Sequence, residues 1–277
     1  MFHLRSASRR NRKQSLRCVM EKIRIAFFDI DGTLIDFHRK QISAKTVEAL
    51  KRLRARGVIL CLATGRSPLE LPHFSGIEFD VYLTFNGSYC FNSSQVLLSN
   101  PIPHGDVRKL IANAAAIQRP VCIATHNRMA ANGADKDLAE YLSIAGSTLE
   151  IADDFDNLLQ EEIYQVMLGC YKQEYPLVMK DVTHAKIAAW WDRAVDIIPA
   201  NGGKGAAIQG VLGYYHLNPE QAIAFGDGNN DIEMLKAVGT GIAMANSSEH
   251  LKEVADEVCG HAAQDGIYYY CLEHGLI

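Results

Sequence analysis

Four short apolar runs of strand length punctuate this chain, and each leads into residues with chemistry to offer. They are IRIAFFD (23–29), VILCLAT (58–64), VYLTF (81–85) and AIAFGD (222–227), leading into Asp29, Thr64, Asn86 and Asp227. Such runs, bounded by turn residues, are the pattern of strands buried on both faces in a parallel sheet. Between the first two runs, Ser43 to about Arg56 reads as a helix, with Val47, Leu50 and Leu53 three apart and Gly57 as its stop. Strand, helix, strand with polar residues at every carboxyl end predicts an α/β fold with a doubly wound, mainly parallel, Rossmann-like core sheet. In such sheets ligands collect beyond the carboxyl edge.

The texture changes after Asn86. Strand-like pieces (Val96–Leu98, Pro120–Thr125, Ile163–Cys170) alternate with helical ones (Val107–Ile117, Lys136–Ile144, Tyr175–Lys180). The piece HAKIAAWWDRAVDII reads as two short strands turning around Asp192-Arg193. The α/β texture then resumes, with a helix after Lys204, strands at 222–227 and 241–245, and helices at 232–238 and 249–255. The chain therefore reads as an α/β core of residues 21–85 and 195–277, interrupted by an inserted α+β domain of residues 86–194. The insertion is expected to hold an antiparallel sheet with helices on one face.

Residues 1–20 carry six basic side chains (Arg5, Arg9, Arg10, Arg12, Lys13, Arg17) and no acidic one. They read as a disordered leader, with Met20 as the natural start. The whole chain nevertheless has 32 acidic against 28 basic residues, so everything after the leader is distinctly acidic. Phosphate-backbone affinity comes from clustered Lys and Arg, so nucleic acid is not an expected partner. No apolar stretch is long enough for a membrane span. Seven scattered cysteines without a CxxC pair, two of them (Cys61, Cys122) inside apolar runs, point to buried free thiols in a reducing compartment, the cytoplasm.

Four constellations carry chemistry. FFDIDGTL (27–34) sets Asp29 and Asp31 two apart at a strand end, with Gly32 for a sharp turn and Thr33 for a hydroxyl. LATGR (62–66) offers the Thr64 hydroxyl, the Gly65 N–H and Arg66 to a phosphate. PANGGKGAAI (199–208) brings Asn201 and Lys204 to a helix start without the spacing of a Walker A loop. AFGDGNNDIEML (224–235) ends a strand in Asp227, with Asn230 and Asp231 close behind. Asp29, Asp227 and Asp231 make an oxygen-only donor set that favours Mg²⁺. An aspartate carboxylate is a competent nucleophile on phosphorus, and a second carboxylate can protonate the leaving oxygen and then activate water.

DIDGT (29–33), Thr64-Gly65-Arg66, Lys204 and GDGNND (226–231), in this order, resemble the four signature motifs of the haloacid dehalogenase-like hydrolase superfamily. The long insertion between the second and third resembles the type 2 (C2B-like) cap of the Cof-type, sugar-phosphatase-like branch. The resemblance covers residues 23–277. It implies a Mg²⁺-dependent phosphatase of small phosphorylated metabolites, sugar phosphates or similar phosphomonoesters, working through an aspartyl-phosphate intermediate. A phosphomutase of the same superfamily is the alternative; a non-catalytic phosphate-binding or signalling protein is disfavoured by the intact motifs and the long insertion. Carried over, Asp29 is the nucleophile and a metal ligand, and Asp31 is the general acid/base whose backbone carbonyl also meets the metal. Thr64 and Gly65 hold the phosphoryl group, Lys204 orients nucleophile and phosphate, and Asp227 binds the metal. Asp231 supports the metal directly or through water. Thr33, Asn201, Asn230 and Arg66 complete the phosphate- and substrate-binding set. A monomer or weak homodimer, with no membrane partner, is expected.

Outside the motifs, Asn86-Gly87 reads as a linker turn or a leaving-group contact. His126-Asn127-Arg128 reads as a solvated turn. Of Trp190 and Trp191, neighbours on a strand, at most one can stack on a ligand. Tyr268, Tyr269 and Tyr270 read as packing of a last helix.

Overall fold

A computed structural model of the chain describes residues 22–36, 41–144, 146–189 and 191–277. The basic leader, Met20, Cys18 and Trp190 lie outside the described residues. Packing divides the described residues into two compact units: those up to Leu62 with Phe74–Val81 and Val211–Ile277, and Ala63–His73 with Tyr82–Gly210. In chain order the strands are β1 (Ile25–Phe28), β2 (Ile59–Ala63), β3 (Val81–Thr84), β4 (Tyr89–Asn92), β5 (Val96–Ser99), β6 (Cys122–Ala124), β7 (Met129–Ala131), β8 (Gln165–Gly169), β9 (Ala185–Ala188), β10 (Ala194–Pro199), β11 (Ala222–Gly226), β12 (Thr240–Ala243) and β13 (Glu257–Val258).

The first unit is built on parallel pairings in the order β13-β12-β11-β1-β2. All four residues of β1 are fully buried. That is why the sequence shows an unbroken apolar run there instead of alternation. From β1 the chain winds to β2 on one side and returns on the other through β11. The carboxyl ends of β1 and β11 therefore flank a point where the winding direction reverses, the place where open α/β sheets bind ligands. Their register, Phe28 opposite Phe225, sets Asp29 beside the end of β11. Phe28 stacks on Phe225 at 5.3 Å, and Tyr270 meets Phe225 edge-on at 5.6 Å. Tyr270 thus packs the last helix as expected, while Tyr269 is half exposed.

The helix Ala44–Ala55 forms for local reasons. The Ser43 hydroxyl caps its start by accepting from the Thr46 N–H at 3.0 Å, and Arg52 and Arg54 lie in the last turn, where positive charge suits the dipole. Its buried face is Thr46, Ala49, Leu50 and Leu53, so Val47 sits at the edge of the face the sequence assigned it to.

The second unit contains a five-stranded antiparallel sheet in the order β7-β6-β8-β10-β9. The expected hairpin is present: β9 and β10 pair from Pro199–Ala185 to Asp196–Ala188. The expectation of helices on one face is corrected. Val166, Leu168, Val195 and Ile197 share a core with Val107, Leu110 and Ala114 of the helix His104–Ala116. Met167, Ala194 and Cys122 share another with Leu138, Tyr141 and Leu142 of the helix Lys136–Ile144. Every residue of β8 and β10 is buried, so both faces need covering. The strands β4 and β5 form a further hairpin, whose turn is held by the Asn92 side chain accepting from the N–H groups of Ser94 and Gln95. No helix of the described residues is long and apolar enough to cross a membrane. Cys61 and Cys122 are buried free thiols, as their apolar runs imply.

Candidate active site

Three carboxylates converge in the first unit. Asp29, Asp227 and Asp231 each offer an oxygen, and these atoms lie within 4.8 Å of one another. The backbone dictates this. The Asp29 N–H extends the β1 ladder by donating to the Phe225 carbonyl at 3.0 Å, and Asp227 directly follows β11. Asp231 is fully buried, and its Oδ2 accepts from the N–H groups of Asp227 and Gly228 at 2.9 Å each. One oxygen therefore ties down the loop that carries Asp227. The Thr33 hydroxyl, 2% exposed, donates to Asp227 Oδ1 at 3.0 Å. In this structure its contact is thus with a carboxylate of the cluster. Gly32 closes the arrangement: its φ is +82°, and a Cβ there would lie 2.0 Å from Asp227 Oδ2. No other residue type fits. Asn246, which sequence reasoning missed, buttresses this turn by donating to the Gly32 carbonyl at 2.7 Å and accepting from the Ala262 N–H at 3.0 Å. Asp31 is half-buried and bridges to Ile35 in the same turn.

The donor set suits a small hard cation, with three carboxylates on constrained backbone and neither sulfur nor imidazole among them. Replacing Thr33 by Val keeps the shape and removes the hydroxyl that orients Asp227. Partners of metal ligands are typically worth 10–100-fold in affinity. A divalent cation held by this cluster is therefore expected to bind about 10-fold more weakly to Thr33→Val in calorimetric titration, with the fold intact. Equal affinities would disconnect Thr33 from the cation site.

The second unit gathers the other predicted motifs. The Thr64 N–H donates to the Leu83 carbonyl, and the Thr64 hydroxyl accepts from the Arg66 N–H at 3.1 Å. The Arg66 guanidinium reaches the Glu70 carbonyl at 3.2 Å. Asn86, with φ 53° and ψ 33°, donates its N–H to the Thr64 carbonyl at 2.9 Å. Its carboxamide lies over Gly65, where a Cβ would be 3.2 Å from Asn86 Nδ2. Gly87 follows with φ +90°, and a Cβ there would lie 2.8 Å from the Gly203 carbonyl and 2.6 Å from Ala207 Cβ. The Asn86-Gly87 turn is thus wedged between Thr64-Gly65 and the approach to Lys204, which is 1% exposed at the start of the helix Lys204–Tyr214. Asn201 is exposed, and its Oδ1 accepts from Asn100 at 3.2 Å. Asn230 is half-buried in the Asp227 loop of the first unit.

Other candidates resolve into structural roles. Thr125 organises the 126–128 turn by accepting from the Arg128 N–H, and Arg128 pairs with Glu150 and Asp154. Trp191 stacks on Tyr141 at 5.9 Å and carries the Arg193 guanidinium 4.2 Å from its ring centre. A second residue that sequence reasoning overlooked is Asp196, a lone carboxylate inside the otherwise apolar strand β10. Its signal was there to read: an acid at a buried position of AVDIIP. Burial, with the Glu70 charge adding to it, pushes its carboxyl up to about 7, against the hydrogen bonds from Tyr141, Asn86 and Gln165.

The family model described as haloacid dehalogenase-like hydrolase matches residues 26–271. The putative phosphatase YkrA of Bacillus subtilis is 33% identical over 257 residues, which span 92% of this chain and 98% of that protein. The HMP-PP phosphatase of Escherichia coli is 29% identical over 272 residues, 91% of this chain and 96% of the relative. The solved sugar phosphatase BT4131, described as a subclass IIB member of the superfamily, superposes with a TM-score of 0.84 at 26% identity, covering 92% of this chain and all of that one. With the family model spanning nearly the whole chain and the carboxylates gathered at the switch point of its parallel sheet, the protein belongs to the haloacid dehalogenase-like hydrolases and is a phosphoric monoester hydrolase.

Proposed function

We propose that this phosphatase hydrolyses small phosphorylated metabolites, sugar phosphates or similar phosphomonoesters, through an aspartyl phosphate on Asp29. The observation that carries the reading is the carboxylate trio at the ends of β1 and β11. In this reading Asp29, the Asp31 carbonyl and Asp227 hold Mg²⁺, with Asp231 contributing directly or through water. The bound cation neutralises charge on the phosphoryl oxygens. A carboxylate oxygen of Asp29 attacks phosphorus, forming the Asp–O–P bond as the bond to the leaving oxygen breaks. The Asp31 carboxyl gives that oxygen its proton. It then takes a proton from the water that attacks phosphorus, releasing inorganic phosphate and restoring Asp29. Thr64 and Gly65 donate to the phosphoryl oxygens, Lys204 balances their charge, and Arg66, Asn201 and Asn230 complete the substrate contacts.

The division into a core of 21–85 and 195–277 and a cap of 86–194 belongs to the same proposal, with the cap choosing the leaving group. So do a cytoplasmic location and a monomer or weak homodimer. The test is phosphate release from an aryl phosphate, expected with Mg²⁺ and abolished by chelation, followed by a panel of phosphorylated metabolites. No release under saturating Mg²⁺ sinks the proposal. Transfer without release, dependent on a bisphosphate activator, would turn it into the phosphomutase alternative.

A further inference from the structure

Asp196 is 2% exposed, and its partners are uncharged donors. The Tyr141 hydroxyl donates to Oδ1 at 2.5 Å, Asn86 Nδ2 donates to Oδ2 at 3.3 Å, and the Gln165 side chain adds a further hydrogen bond. Burying a carboxylate without a cation is costly, and only a set of converging donors offsets it. Nothing in packing alone calls for an acid here, since its neighbours across the sheet are Met167 and Ala188. What the carboxylate does is hold Asn86. Ionised, it only accepts, so it turns Asn86 Nδ2 toward itself and keeps the carboxamide over Gly65. The Asn86 N–H meanwhile binds the Thr64 carbonyl at 2.9 Å. Thr64 and Gly65 are thereby braced by one residue from its backbone and its side chain together.

We propose that Asp196 is a positioning residue: acting through Asn86, it holds the Thr64-Gly65 backbone in the geometry that receives the phosphoryl group. The inference rests on the phosphate-binding role given to Thr64 and Gly65 above. Tyr141, and through it the helix Lys136–Ile144, belongs to the same chain of support.

Inorganic phosphate, as competitive inhibitor of aryl phosphate hydrolysis, is the probe. The assay is set at pH 8, on the alkaline side of the raised Asp196 carboxyl. Asp196→Asn brings an amide donor among donors and is expected to raise the phosphate inhibition constant and KM about 10-fold, roughly one hydrogen bond's worth, with a smaller change in kcat. Asn86→Gly removes the carboxamide while tolerating the left-handed backbone, and is expected to raise both constants at least as much. In the Asn86→Gly background, Asp196→Asn should add nothing, because its route is gone. Tyr141→Phe keeps the ring against Trp191 and should raise the inhibition constant about 3-fold, again only when Asn86 is present; it carries the test should Asp196→Asn fail to fold. Unchanged phosphate inhibition in a folded variant, or losses that add to those of Asn86→Gly, overturns the inference while leaving the phosphatase reading in place. A wild-type protein that releases no phosphate at all overturns both.

Discussion

Asp29→Asn is expected to lower phosphate release by about 10⁴-fold or more and to abolish covalent phosphorylation of the protein. An amide is a poor nucleophile toward phosphorus, and losses on removing a nucleophile are of this size in enzymes that work through covalent intermediates. The change also removes one charge from the carboxylate trio, so the trio's affinity for a divalent cation falls with it. The fold should survive. Asp29 is held by its backbone N–H on the Phe225 carbonyl, a bond the substitution leaves alone, at the end of a strand whose own residues are fully buried. Intact-mass measurement after rapid mixing with an activated substrate reads the outcome: one added phosphoryl group on the wild type, none on the variant. A folded variant that still turns over at a tenth of the wild-type rate would take the nucleophile's role away from Asp29.

Asp31→Asn should divide substrates by their leaving groups. The backbone carbonyl proposed for the cation stays, and so does the turn, since the bridge between Asp31 and Ile35 is made by the main chain. What goes is proton transfer. General acid assistance is typically worth 10²–10⁴-fold. The loss should be of that order for a sugar phosphate, whose alkoxide is a poor leaving group. For an aryl phosphate, which departs without protonation, it should be much smaller. The phosphoenzyme formed from the activated substrate should also persist longer, because the same side chain is proposed to activate the hydrolytic water. Equal losses on both substrates, with dephosphorylation no slower in a single turnover, would move the proton donor elsewhere.

Much of the fold was legible because its signals are local. Parallel strands buried on both faces write themselves as unbroken apolar runs, so β1, β2, β3 and β11 fall within a residue or two of their expected ends. Ser43 and Gly57 mark the limits of a helix by capping and turn chemistry that no distant residue can alter. The carboxylates and the glycine of DIDGT, and the Asp227 loop, are likewise local, because a strand end and a sharp turn each demand particular residue types. What the tertiary structure alone decided are contacts between residues far apart in the chain. The register that sets Phe28 opposite Phe225 brings the Thr33 hydroxyl to Asp227, 194 positions away, and nothing near Thr33 in the chain announces that partner. Asn246 meets Gly32, and Asp196 meets Asn86, on the same terms. The helix over the second face of the β8–β10 sheet belongs here too: Gln165 and Asp196 interrupt the apolar runs of β8 and β10, and only the packed sheet shows that both faces are covered. Periodicity and turn chemistry act over a few residues, whereas strand order and register act over the whole chain. The sequence by itself therefore determined which side chains stand at the carboxyl ends of the strands, and only the assembled sheets decided which of them touch.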